Sequence, residues 1–253
     1  MRGETDPDRR LYRLTGKDAL TFLQGLVSND VLPLAKGSGI VWAALLTPQG
    51  KYLADFFVVA RGGELLLDLP ASLAEGVVRR LTMYRLRADV QIAAAADLSV
   101  TRGLTDPPAD ALPDPRHPAL GWRAYGAAGG PATIDWDALR VEHLIPESGI
   151  ELIPDDSYLL ETGFERLHGV DFRKGCYVGQ EVTARMKHKT ELRKGLVRLR
   201  ITGSAPVGTE ILADGKPAGR LFTQSGGRAL AHMRHDRIGP GLTAAEALLS
   251  PDD

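Results

Sequence analysis

The chain has 253 residues, 43% of them hydrophobic, and a formal net charge of −1. That content suffices to bury a core in two or three lobes, and the neutral balance excludes a global field for nucleic acid or membrane. One cysteine excludes an intramolecular disulfide framework and fits a reducing compartment.

The chain opens on Met1-Arg-Gly-Glu-Thr-Asp-Pro-Asp, a polar stretch without the apolar core of a signal peptide. Its acidic residues argue against a mitochondrial presequence, and no apolar run approaches the ~20 residues of a membrane-spanning helix. The expectation is a soluble, cytoplasmic protein with no membrane partner.

Leu11-Tyr-Arg-Leu14 predicts a short strand. Lys17 to Val27 predicts a helix, because Leu20, Leu23 and Val27 with Phe22 and Leu26 recur at helical spacing. Ser28-Asn29-Asp30-Val31 ends it with turn-forming side chains. Two strands follow, from Gly39 and from Tyr52, joined by Thr47-Pro-Gln-Gly-Lys51 as a hairpin turn. Gly62-Gly63 turns the chain into a third strand from Glu64. An amphipathic helix is predicted from Ser72 to Met83, and two more strands at Arg87–Ile92 and Leu98–Arg102. Tight turns between strands predict a largely antiparallel sheet in an α+β fold. Residues 105–118, rich in Pro and Asp, read as a surface loop or linker. Trp136 to Leu144 predicts a short helix, followed by turn-rich sequence to Ser157.

After about residue 192 the texture changes. Gly195-Leu-Val-Arg-Leu-Arg-Ile alternates with period two, and short strands follow at Gly208, Lys216 and Arg228. Asp214-Gly215 marks a hairpin. This pattern predicts a small barrel or sandwich, so residues 1–191 and 192–253 read as two units.

Lys174-Gly-Cys-Tyr-Val-Gly-Gln-Glu181 holds the lone cysteine between two glycines. From Arg173 to Arg200 nine Lys/Arg stand against two Glu, a local net charge of +7. A thiol among cations has reason to ionise. The competing reading is that Cys176 is a small buried hydrophobe. Gly175 and Gly179 suggest instead a turn needing positive φ or close backbone approach. No Cys/His set has zinc-site spacing, and one thiol cannot hold an iron–sulfur cluster alone.

The run Gly169-Val-Asp-Phe-Arg-Lys-Gly-Cys-Tyr-Val-Gly-Gln-Glu-Val-Thr-Ala-Arg185 resembles the signature of the folate-binding YgfZ proteins. These are relatives of the T-protein (aminomethyltransferase) of the glycine cleavage system. The family pattern Lys-Gly-Cys-Tyr-x-Gly-Gln-Glu is matched at every fixed position, a specific signal. Two further segments look like that family: Phe22 to Val31, ending in Asn-Asp, and Leu139-Arg-Val-Glu142. His143-Leu144 replaces the small residue and glycine that the family has next.

The resemblance implies a T-protein-like α+β fold, two intertwined lobes with mainly antiparallel sheets plus a C-terminal β-barrel, and tetrahydrofolate or a one-carbon derivative as ligand. It places Asp30 and Glu142 beside the pterin, against local readings of a helix-terminating turn and a solvated helix residue. Cys176 would relay a one-carbon unit, sense redox state or lend a ligand to iron. Lys174 with Arg173 would favour its thiolate by charge, Gln180 and Glu181 would position it, and Tyr177 would anchor the loop. Lys174, Tyr177, Gln180, Glu181 and Arg185 count with Asp30 and Glu142 as cofactor-binding residues. Arg185, Lys187, His188, Lys189, Arg193 and Lys194 would attract the glutamyl tail of the folate, or form a solvated cationic face. The implied function is support of iron–sulfur enzymes, including radical enzymes that modify tRNA. The implied partners are client enzymes or assembly factors; tRNA contact would be indirect, since no aromatic platform interleaves the cations. The alternatives are an aminomethyltransferase and a non-catalytic RNA or protein adaptor.

Overall fold

The computed structural model describes residues 3–189 and 191–252. In chain order the first elements are β1 (Glu4–Thr5), β2 (Arg9–Thr15), α1 (Ala19–Gln24), β3 (Gly39–Leu46), β4 (Tyr52–Arg61), β5 (Glu64–Pro70), α2 (Ala74–Tyr84) and β6 (Gln91–Ala94). Five of these strands form an antiparallel sheet in the order β3-β4-β5-β2-β6. Gly62 and Gly63 both adopt positive φ (53° and 82°) between β4 and β5, the turn that matches the twist of paired strands. The central strands are apolar on both faces. Trp42, Ala44, Leu46, Phe57, Val59 and Leu66 join one core, while Ala43, Leu45, Phe56, Val58 and Leu67 join the other with Leu23, Val77 and Leu81. The helix α1 is shorter than the predicted span because Val27 leaves it to bridge Leu45 of β3.

A second antiparallel sheet, in the order β1-β7-β9-β8, is built from β7 (Ser99–Gly103), β8 (Leu112–Pro113) and β9 (Trp122–Gly126) with β1. The stretch 105–118 is therefore not a plain surface loop. It contains β8, and its Asp114 and Arg116 are both buried and hydrogen-bonded to each other at 2.9 and 3.0 Å. The acidic and proline-rich composition marks it as a loop, and Asp106 and Asp110 are indeed exposed, but Asp114 and Arg116 turn inward because each has an opposite charge to meet.

Asp68 of β5 joins the two sheets. Its carboxylate accepts from Arg9 Nε of β2 at 2.6 Å, and from Arg123 Nη2 and Tyr125 Oη of β9 at 3.0 Å each. Burial alone would raise the Asp68 carboxyl; the charges of Arg9 and Arg123 outweigh it and hold the group below the usual carboxylate range. Arg123 reaches further, to Asp6 at 3.5 Å and Asp114 at 3.8 Å.

The remaining elements are α3 (Trp136–His143), α4 (Gln180–Lys189), β10 (Lys194–Thr202), β11 (Glu210–Ala213), β12 (Lys216–Ser225), β13 (Arg228–Arg234), β14 (Leu242–Ala244) and β15 (Ala247–Pro251). The last six strands close into a barrel in the order β10-β13-β12-β11-β14-β15. Asp214 and Gly215 both have positive φ at the β11–β12 turn, as the hairpin reading requires. The barrel docks on α3 through Val141, Phe222 and Leu230. Beneath that contact the buried Glu151 accepts from Arg140 Nη1 at 2.9 Å and from Thr223 Oγ1 at 2.5 Å.

Replacing Asp68 by Ala leaves Arg9 and Arg123 buried without their shared partner. The expected cost is about 3–5 kcal/mol, measured as the shift in urea unfolding free energy. A loss under about 1 kcal/mol would show that the sheets are held together by other contacts.

Candidate functional site

The segment from Ser28 to Asp30 is a clamp as well as a turn. Ser28 Oγ donates to the carbonyl of Gly169 at 2.6 Å and accepts from the amide of Ala44 at 2.8 Å. Asn29 Nδ2 donates to the carbonyls of Trp42 at 2.8 Å and His168 at 2.7 Å. The amide of Asp171 then donates to the carbonyl of Ser28 at 3.1 Å. Gly169 sits where a Cβ would come within 2.5 Å of Phe164 and 2.6 Å of Trp42, so only glycine allows this approach.

Lys174 completes the clamp. Its side chain is buried, and its ammonium donates to three carbonyls, of Gln24 at 2.8 Å, Val27 at 2.5 Å and Asn29 at 2.9 Å. Gln24 ends α1, where helix carbonyls lack intrahelical partners, and Val27 and Asn29 belong to the turn that follows. The ammonium also lies 5.0 Å from the ring centroid of Tyr177. Burial pushes the Lys174 amine down to about 8, against the pull of Asp30 and Asp171. At neutral pH it remains mostly charged, with three N–H groups for three acceptors.

Gly179 fixes the other side of the loop. Its φ is +85°, and a Cβ there would stand 2.6 Å from the carbonyl oxygen of Thr47. Gly50, in the β3–β4 turn, faces it from the opposite side, where a Cβ would stand 2.8 Å from Val182. The motif loop and the first hairpin thus meet backbone to backbone. Gly175 has neither constraint, since its surroundings are open and its φ is not positive.

Cys176 is exposed and free. Lys174 and Tyr177, both buried, anchor the chain on either side of it. The small-buried-hydrophobe reading therefore does not hold. Gln180 and Glu181 begin α4, with Glu181 exposed in its first turn. On the same helix Arg185 is exposed, while Lys187 pairs with Glu165 and lies 5.5 Å from the centroid of Phe172. The side chain of Lys189 lies outside the described residues. His188, Arg193 and Lys194 are exposed, and Arg173 presents 96% of its side chain to solvent.

Among the sequence-predicted residues, the fold gathers Asp30, Lys174, Cys176, Tyr177, Gln180 and Glu181 at this loop. Asp30 Oδ1 serves its own turn, accepting from Gln24 Nε2 at 2.9 Å and the amide of Leu32 at 3.1 Å. Glu142 stands elsewhere. It is bridged by Arg198 at 3.4 Å and by Arg228, so it faces the barrel. Lys174 and Tyr177, expected to touch a ligand, are spent on carbonyls and on packing.

Two features escaped the sequence reading. Asp55, buried in β4, accepts from Trp42 Nε1 at 2.8 Å, Tyr52 Oη at 2.7 Å and Ser148 Oγ at 2.6 Å. Its signal was a carboxylate in the apolar run Tyr52-Leu-Ala-Asp-Phe-Phe-Val-Val. The second is a cavity of about 320 Å³ whose wall carries both signs of charge, with Arg9, Arg102, Arg116, Arg123 and Arg140 against Asp6, Asp8, Asp137 and Glu147, beside Trp136 and Ser148. A reduced folate needs acceptors for its ring N–H groups and cations for its glutamyl carboxylates. Glu147 and Arg102 offer one of each, and Nε of both Arg102 and Arg123 is buried without a partner. These residues supply both kinds of group, whereas Lys174 and Tyr177 of the motif loop are buried and Lys174 is already hydrogen-bonded.

No helix among the described residues is long and apolar enough to cross a membrane. Among those residues no three His, Cys, Asp or Glu side chains are grouped to hold a metal ion.

Residues 193–253 match the family described as the CAF17 C-terminal beta-barrel domain. The iron–sulfur cluster assembly factor IBA57 homolog, mitochondrial, of Mycosarcoma maydis is 31% identical, over 97% of this chain and 67% of that protein. The human protein of that name, IBA57, mitochondrial, is 30% identical over 91% of this chain and 76% of its own length. Among solved structures, glycine cleavage system aminomethyltransferase T from Bartonella henselae superposes with a TM-score of 0.73. It covers 98% of this chain and 84% of its own at 13% identity, which makes the T-protein fold the shared feature. The relatives named as mitochondrial overturn the cytoplasmic expectation. That expectation rested on the lack of a signal-peptide core and of a membrane-spanning run, with the acidic residues near the start as a further argument, and none of these reports on compartment.

Lys174→Met deprives three carbonyls of their donor, at a cost of about 1–3 kcal/mol at pH 7. In the wild type the folded amine titrates near 8 and its ordinary value is 10.5. Between those values the unfolded chain binds more protons, so this group makes stability rise with pH. Urea midpoints from pH 7 to 10.5 should therefore show the wild type pulling further ahead of the variant. A constant gap would show that the ammonium carries no burial cost.

Proposed function

The chain belongs to the IBA57 family of iron–sulfur cluster assembly factors, and from that membership we propose that it supports the assembly of iron–sulfur proteins through the thiol of Cys176. The observation that carries this reading is the placement of that thiol: exposed, yet held by buried anchors on both sides. An inert structural cysteine would be packed away. The step is ligation. The thiol releases its proton to solvent, and the sulfur donates an electron pair to an iron of the cluster being assembled or repaired. One thiol supplies one ligand of the usual four, so the remaining ligands come from an iron–sulfur client or assembly factor. Arg173, Arg185 and Arg193, exposed on and around the loop, suit a partner with an acidic face. The clients include, in this reading, radical enzymes that modify tRNA.

Tetrahydrofolate is the proposed small ligand, bound in the cavity between the two sheets rather than at the motif loop. When bound, it carries one-carbon units. Glu147 would accept from a ring N–H, and the guanidinium groups of the cavity would neutralise its carboxylates. The aminomethyltransferase reading is weaker, because Oδ1 of Asp30 is already engaged by Gln24 and the amide of Leu32.

The test is Cys176→Ala in a strain depleted of the natural protein, with iron–sulfur enzyme activities as readout. Those activities should fall to the depleted level. Stability should change by no more than about 0.5 kcal/mol, since the side chain is exposed. Full support of the enzymes by the variant would sink the thiol's role. Tetrahydrofolate binding by calorimetry should be the same in wild type and variant, because the cavity and the thiol are separate sites.

A further inference from the structure

One cation of the cavity between the sheets differs from its neighbours. Arg9, Arg116, Arg123 and Arg140 each donate at least one hydrogen bond of 2.6–3.0 Å to a carboxylate. Arg102 of β7 has only charge contacts, with Glu4 at 3.9 Å and Asp6 at 3.3 Å, and its Nε is buried without a partner. That Nε is sealed from solvent, but the side chain as a whole keeps 22% of its surface accessible, so a ligand reaches the guanidinium at its other atoms. Burial lowers the guanidinium below its ordinary value, and the nearby charges of Asp6, Glu147 and Glu4 do not make up the difference.

Arg102 is also mounted. Its guanidinium carbon lies 4.2 Å from the centroid of the Trp136 ring. The indole N–H of Trp136 donates to Glu4, which also accepts from the amides of Thr133 at 2.6 Å and Ile134 at 3.0 Å. The two-residue strand β1 therefore sets the indole, and the indole sets the guanidinium. A guanidinium resting over an aromatic ring keeps N–H groups at its edge for a carboxylate, which binds such a fork with two parallel hydrogen bonds. Glu147 lines the same cavity and makes no ion pair among the described residues, leaving it an acceptor for an N–H of the same ligand.

We propose that Arg102, held on Trp136 by Glu4, is the carboxylate-binding group of this cavity and takes one carboxylate of a small organic ligand in a bidentate pair. The glutamyl end of a folate is one source of that carboxylate, and for that source the inference rests on the folate reading above. A free dicarboxylate is the other.

Calorimetry with three probes separates them: 5-formyltetrahydrofolate, its dimethyl ester with both glutamyl carboxylates masked, and glutarate. The wild type should bind the acid at least about tenfold more tightly than the diester, the range of a hydrogen bond to a charged group. Arg102→Gln should erase that discrimination while leaving diester affinity unchanged. Arg102→Lys, which keeps the charge but not the planar fork, should retain only part of it and serves if the Gln variant fails to melt cooperatively. Equal binding of acid and diester by the wild type overturns the proposal, as does undiminished discrimination in both variants. If neither folate probe binds, the folate reading fails by itself. Glutarate binding lost in Arg102→Gln then still supports the carboxylate site, and no glutarate binding overturns it.

Discussion

One ammonium group ties the two ends of the first 180 residues together. Lys174 reaches carbonyls as far back as Gln24, a separation of 150 residues. The carbonyl of Gln24 at the end of α1 and those of Val27 and Asn29 in the turn after it meet a side chain with three N–H groups. The match is local, but what it joins is not. Ser28 and Asn29 hold the same turn to Gly169, His168 and β3, so the motif loop, the first turn and the first sheet form one hydrogen-bonded body. Closing so long a loop costs conformational entropy, and several buried polar contacts offset it together. A sheet with apolar side chains on both faces supplies the framework against which they align.

The second organising contact is charged. Asp68 gathers Arg9 from one sheet and Arg123 from the other, and Asp6 and Asp114 extend the chain of charges. Such networks are expensive to bury unless every member is satisfied. This one is nearly satisfied. Its exceptions, Nε of Arg102 and of Arg123, both belong to residues that line the cavity. The framework that aligns the two sheets thus leaves two buried N–H groups unpaired in residues of the cavity wall.

Much of the architecture was legible in the sequence, and for local reasons. Gly62-Gly63 and Asp214-Gly215 specify their turns by conformation, and the alternation from Gly195 onward specifies strands of a barrel. The motif itself identified the loop that matters. What was not legible depended on distant partners. Asp114 and Arg116 look like loop residues until Arg123 is brought beside them. The strand β9 gave no clear alternation, because Arg123 and Tyr125 point into a charged seam. The polar sequence of α4 hid a helix whose packing is set by the close approach of Gly50 to its first turn. Glu142 matched a family segment, but its helix turns it toward two barrel arginines. Asp30 was legible as a turn residue, and that is the work its carboxylate does here. Asp55 was visible as an oddity in a strand, without any hint of Tyr52 and Ser148 as its donors.

The anchors beside Cys176 also bear on how a partner would meet it. Lys174 is fixed two residues before the thiol and Tyr177 one residue after, so the loop has almost no slack. The sulfur cannot swing out to search for a distant ligand set. A partner must bring its own groups to within bonding distance, which demands a complementary surface rather than a flexible tail. In return, little ordering entropy is lost on docking, because the sulfur is already where it will be used. Contact geometry would then select the partner, and the residence time of the complex would depend on the surfaces around the thiol more than on the thiol itself.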